Sequence, residues 1–138
     1  MGWNAMKILI VEDDLASRKM MQQFLAPYGK CDIAVDGIEA IDAFLMAWDE
    51  GEPYHLIYLD IMMPRLDGIK ALKIIREMES DRKAEEDQKA TIIMTTALND
   101  KKSVNEAFEL GCEAYAAKPI NREKLKEVMD KLEIFPEE

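Results

Sequence analysis

The chain alternates between short apolar runs and longer stretches in which apolar positions recur every three or four residues. Residues 7–11, Lys-Ile-Leu-Ile-Val, run into the acidic cluster Glu12, Asp13 and Asp14, the pattern of a buried strand. Met20, Met21, Phe24, Leu25 and Tyr28 follow at helical spacing, and the helix they predict stops around residues 27–29, where Pro27 and Gly29 allow a turn. Residues 31–35 form a second apolar run, and Asp36-Gly37 opens a segment with Ile38, Ile41, Leu45 and Trp48 along one helical face. A third run, residues 56–60, ends in Asp60 and leads through a loop with Pro64 and Gly68 into a helix with Leu72, Ile75 and Met78 on its inner face. Residues 91–95 predict a fourth strand, followed by a helix containing Val104, Ala107 and Phe108 that ends at Gly111. The fifth strand covers about residues 114–117, and a last helix is expected to bury Leu125, Val128, Met129, Leu132 and Phe135.

Short strands, apolar on both faces and each followed by a helix, predict an α/β fold: a doubly wound, five-stranded parallel sheet with helices on both faces and right-handed crossovers. In such a sheet ligands sit beyond the carboxyl ends of the strands, near the point where strand order reverses. The notable polar residues fall at those ends. Glu12 and Asp13 follow the first strand, Asp60 ends the third, Thr96 follows the fourth and Lys118 follows the fifth, so the fold would bring them together. Residues 79–90 are charged without an apolar period and read as a helix extension running into a solvated loop.

Composition narrows the function classes. A length of 138 residues suits one domain, with a core spanning about residues 7–135, and 49% hydrophobic residues suffice to fill it. The formal net charge of −10 would repel a phosphate backbone, which argues against direct nucleic-acid binding and for a cation or a partner protein. Cys31 and Cys112 are far apart and lack CxxC spacing, so they read as plain thiols in a reducing compartment. No apolar run approaches the roughly 20 residues of a membrane span, and the first residues lack the basic-then-apolar pattern of a signal peptide. A cytoplasmic location without membrane insertion is expected. Met6 stands where a myristoylation motif needs Ser or Thr, and His55 reads as a surface residue without a role.

Three carboxylates gathered at one end of a sheet repel one another by several kcal/mol per pair at ~4 Å and an effective dielectric of ~20. A hard divalent cation answers this, and Mg²⁺, or Mn²⁺, suits one or two carboxylates plus waters and a phosphate oxygen. Asp13 and Asp60 are the expected direct ligands, Glu12 reaches the ion through water, and the backbone carbonyl of Met62 supplies a further oxygen. Asp60 is the candidate nucleophile, forming an aspartyl phosphate whose oxygens are neutralised by the metal and by Lys118. The Thr96 hydroxyl can donate to a phosphoryl oxygen that is absent before transfer. Each residue alone is weak, since a lone Asp at a strand end is more often a turn or a helix cap. The joint arrangement carries the reading.

Across about residues 7–135 these features resemble the response-regulator receiver family, which has the flavodoxin-like fold of five βα repeats. Val11-Glu12-Asp13-Asp14 looks like its acidic pair, residues 59–64 with Asp67-Gly68 like its phosphoacceptor loop, Thr95-Thr96-Ala97 like its switch threonine, and Lys118-Pro119 like its lysine. The resemblance implies phosphorylation of Asp60 by a histidine kinase or phosphotransfer protein, with Glu12 and Asp13 at the metal site and Lys118 as the fixed cation. It also implies Thr96 with Tyr115 as the switch pair, and a cis peptide before Pro119. The implied role is that of a phosphoacceptor in two-component or phosphorelay signalling, catalysing its own phosphorylation rather than turning over a substrate. Its downstream target would be a protein bound through the fourth helix, fifth strand and fifth helix, with Val104 and Phe108 left open between that surface and the core. Departures are Glu12 where many members have Asp, which leaves open whether Glu12 or Asp14 lies nearer the ion, and the apolar Met62 and Leu98 at positions that influence phosphoryl loss. Neither can position a water, so a long-lived phosphoaspartate is expected. A haloacid-dehalogenase-type phosphatase would need an Asp where Met62 stands, and a nucleotide-binding domain a glycine-rich loop after the first strand. The remaining alternative is a receiver-fold adaptor that works without phosphorylation.

Overall fold

The computed structural model describes residues 6–97 and 100–136. Along the chain run β1 (Met6–Val11), α1 (Leu15–Leu25), β2 (Gly29–Ala34), α2 (Gly37–Asp49), β3 (Leu56–Asp60), α3 (Gly68–Asp81), β4 (Thr91–Thr96), α4 (Lys101–Leu110), β5 (Ala114–Ala117) and α5 (Arg122–Lys131). The strands form one parallel sheet in the order β2-β1-β3-β4-β5. Chain order reverses between β1 and β3, which puts the topological switch point between Val11 and Asp60.

Strand periodicity divides the core into two layers. Leu9, Val11, Ile57, Leu59, Ile92 and Met94 face α2, α3 and α4. Ile8, Ile10, Leu56, Tyr58 and Ile93 face α1 and α5. Every α-helix starts on a short polar side chain that accepts a backbone N–H of its first turn: Asp14 from Ser17, Asp36 from Glu39, Asp67 from Lys70, Asp100 from Ser103 and Asn121 from Lys124. Gly111, at φ 103°, ends α4 in the left-handed conformation that favours glycine.

Several expectations need correction. The buried face of α2 is Gly37, Ala40, Phe44 and Ala47, because three small residues let the helix approach the sheet closely around one ring. Ile38 is exposed, whereas Ile41, Leu45 and Trp48 flank the contact half-buried, with Trp48 stacked on Phe44 at 6.2 Å between centroids. Phe135 is 63% exposed, since α5 ends at Lys131 and Glu133, at φ 60°, turns the chain away from helical spacing. Phe108, left open between core and surface, is 44% exposed, and Val104 is half-buried. Thr96 is the last residue of β4 rather than its successor, and β2 starts at Gly29 directly after a 3-10 turn.

The charged stretch from the end of α3 onward is not wholly solvated, because Glu79, still within the helix, and Ala90 are both buried. Glu79 accepts from Arg76 at 2.7 Å and from the Ala90 N–H at 2.8 Å. Arg76 in turn donates to the carbonyls of Ala90 and Gly111 and to Glu113. This network ties α3 to the start of β4 and to the turn before β5. A buried carboxylate is tolerable when its partners are this complete.

Candidate functional site

Parallel pairing aligns the strand ends, so Val11 sits opposite Leu59, one residue before Asp60, and Asp60 sits opposite Thr95. Glu12 and Asp60 are buried at this edge and Asp13 is exposed beside them. Their carboxylate oxygens include a set lying within 4.8 Å of one another. Lys118, just past the edge strand β5, reaches across the end of β4: its ammonium is 2.9 Å from Asp60 Oδ2 and 3.1 Å from Glu12 Oε1. The Lys118–Pro119 peptide that precedes α5 is cis.

Three carboxylates against one ammonium leave the pocket with an excess of negative charge. Glu12 Oε2 accepts the Asp14 N–H, but its buried Oε1 lies near Lys118 in a geometry that makes no hydrogen bond. An under-satisfied buried carboxylate oxygen among converging acids is what a cation site requires, so the residues fit a hard divalent ion. Asp14 is excluded from the cluster: its Oδ2 caps α1 by accepting the Ser17 N–H at 2.9 Å. Of the two acids the sequence left open, Glu12 is the one grouped with Asp13 and Asp60.

Burial pushes the Asp60 carboxyl up to about 6, with the Lys118 hydrogen bond opposing and the Glu12 charge adding to the rise. Burial by itself would lower Lys118, but its hydrogen bond to Asp60 and the charges of Asp60 and Glu12 overcome that and raise it. Lys118 therefore remains a cation in the range where Asp60 titrates.

Thr96 is buried at the end of β4, its hydroxyl only 3.5 Å from the Ala97 carbonyl, at the outer limit of a hydrogen bond. Tyr115 is 46% exposed and edge-on to Phe108 with centroids 6.1 Å apart. A cavity of about 320 Å³ lined by Thr96, Val104, Phe108 and Tyr115 separates the two. The Met62 side chain is 69% exposed, and Leu98 lies outside the described residues. His55 is exposed and accepts the Lys7 N–H on Nδ1, at the opposite end of the sheet.

Sequence reasoning missed the supports of the loop after Asp60. A Cβ at Gly68 would fall 2.1 Å from the Asp60 carbonyl oxygen, and one at Gly37 would fall 2.2 Å from the Leu66 carbonyl oxygen. Arg65 forms an ion pair with Asp36. The available signal was Asp-Gly at the start of two helices, since glycine in a first turn has no propensity to recommend it and marks close approach.

Residues 8–130 match the family model of the response regulator receiver domain. The chain is 32% identical over 123 residues to the chemotaxis protein CheY of Treponema pallidum, covering 88% of this chain and 78% of that protein. It is also 32% identical over 127 residues to the osmosensing histidine protein kinase SLN1 of Saccharomyces cerevisiae, of which it spans 10% of the length. Among solved structures, the receiver domain of the yeast response regulator Ssk1, crystallised with the histidine phosphotransfer protein Ypd1, superposes with a TM-score of 0.78 at 29% identity, covering 98% of this chain and 95% of that one. A Borrelia burgdorferi complex of CheX, CheY, BeF3 and Mg²⁺ gives 0.76 at 29% identity, covering 92% and 89%.

Proposed function

The chain belongs to the response regulator receiver domain family, and from that premise we propose that it is the phosphoacceptor of a two-component or phosphorelay pathway, with Asp60 as the phosphorylated residue. The observation that supports this most directly is the contact of Lys118 with Asp60 at 2.9 Å, inside a cluster where Glu12, Asp13 and Asp60 offer oxygens within 4.8 Å. Asp13, Asp60 and the Met62 carbonyl would hold Mg²⁺, with Glu12 reaching it through water, and the bound ion would offset charge on the transferring phosphoryl oxygens.

In the transfer, an Asp60 carboxylate oxygen attacks the phosphorus of a phosphohistidine on a kinase or phosphotransfer protein. The P–N bond breaks, its electron pair stays on the imidazole, and an acyl phosphate forms. Asp60 must be ionised to attack; burial holds its carboxyl up at about 6 in the metal-free site, and a bound Mg²⁺ would oppose that rise and favour the ionised form. Lys118 supplies the fixed positive charge beside the forming bond. The Thr96 hydroxyl, with only a weak bond to Ala97, is free to turn toward a new phosphoryl oxygen, and the cavity between it and Tyr115 gives the tyrosine ring room to follow. Withdrawal of Tyr115 would change the surface it forms with Phe108, where α4, β5 and α5 would meet a downstream protein.

Intact-protein mass after incubation with acetyl phosphate tests this, with Mg²⁺ and with a chelator, for the native chain and Asp60→Asn. A gain of one phosphoryl group that needs both Mg²⁺ and Asp60 is expected. No gain in the native chain would favour the phosphorylation-independent adaptor.

A further inference from the structure

The loop joining β3 to α3, residues 61–67, carries the Met62 carbonyl proposed for the metal site. Its ends are tied by backbone bonds, Ile61 N–H to Thr95 at 3.0 Å and Gly68 N–H to Ile61 at 2.9 Å. Its middle is tied by a side chain. Asp36, the buried N-cap of α2, divides its two oxygens: Oδ1 accepts the Glu39 N–H at 2.9 Å, and Oδ2 accepts the Arg65 Nε–H at 2.7 Å and lies 2.7 Å from its Nη2. Next to this pair the Leu66 carbonyl rests on Gly37, where a Cβ would come within 2.2 Å. Arg65 has φ 66°, a backbone conformation for which glycine or asparagine is the ordinary choice. Arginine there brings a guanidinium that neither of those residues could supply.

We propose that the Asp36–Arg65 ion pair is a positioning device for the phosphoacceptor loop, holding the Met62 carbonyl where it can ligate Mg²⁺, so that metal affinity is set in part from the start of α2. The proposal rests on the metal reading given above. Neither residue touches the reacting atoms. Both act through the loop, as outer partners of a metal ligand do.

Arg65→Gly separates positioning from folding, because glycine accepts φ 66° with less strain than arginine and the lost ion pair is largely solvent-facing on the arginine side. The unfolding midpoint without metal is expected to fall modestly, since the buried Asp36 loses the cation beside it, and affinity is compared on folded protein. The Mg²⁺ dissociation constant, read by calorimetry and by the Mg²⁺-dependent rise of that midpoint, is expected to increase about tenfold. Arg65→Lys should recover part of the affinity, and adding Asp36→Asn to Arg65→Gly should weaken binding no further. An Arg65→Gly protein with native Mg²⁺ affinity would overturn the positioning role while leaving the metal site intact. A native protein that Mg²⁺ neither binds nor stabilises would overturn the metal reading and the proposal together.

Discussion

Asp60 is where burial and function oppose each other most plainly. Folding raises its carboxyl from 3.8 to about 6, so the native chain holds a proton that the unfolded chain releases, and stability contributed at this residue falls as pH rises between those values. Asp60→Asn should therefore raise the metal-free thermal midpoint at pH 7, with a gain that shrinks toward pH 4. A gain independent of pH would contradict the burial account. Tyr58 is a second residue with a cost: its buried hydroxyl has no hydrogen-bonding partner among the described residues. Tyr58→Phe removes that group at constant shape and should stabilise by about 1 kcal/mol in urea unfolding. At Met62 the exposed thioether offers no group to position a water, so a phosphoryl lifetime of minutes or longer is expected. Decay within seconds would tell against it. Glu12, Asp13, Asp60, Thr96 and Lys118 could be singled out from the sequence because each falls at a strand end, which the apolar runs mark clearly. Arg65 could not, because its partner Asp36 is distant in sequence and meets it only in the folded chain.

At the level of elements, periodicity located the strands and helices but misjudged faces where size and charge compete with hydrophobicity. In α2 the large apolar residues other than Phe44 are half-buried or exposed, because close packing on the sheet selects Gly37, Ala40 and Ala47 around that ring. Near the end of α3 the charge of Glu79 suggested solvent, yet besides Arg76 one turn earlier on the same helix it accepts the Ala90 N–H, which only the fold brings near. Arg76→Leu would strand Glu79 as a buried carboxylate and free the Gly111 and Ala90 carbonyls, so a loss of about 3 kcal/mol in urea unfolding is expected. A loss under about 1 kcal/mol would show the network to be peripheral.

For the molecule as a whole, the alternation of strand and helix implied the parallel sheet, and the strand order β2-β1-β3-β4-β5 determines why the chemistry collects at one edge. The acids belong to the central pair β1 and β3, the cation follows the edge strand β5, and Thr96 ends the strand between them. That convergence is tertiary, and it was readable beforehand because each residue falls at a strand's carboxyl end, where a doubly wound sheet gathers its ligand-binding groups. The claim on which the account turns is that an acyl phosphate forms on Asp60 and not on a neighbouring acid. The direct test is borohydride reduction of the protein after acetyl phosphate and Mg²⁺, followed by peptide sequencing by mass spectrometry. Homoserine at position 60 is the expected result; reduction at Glu12 or Asp13, or at none of the three, would contradict it.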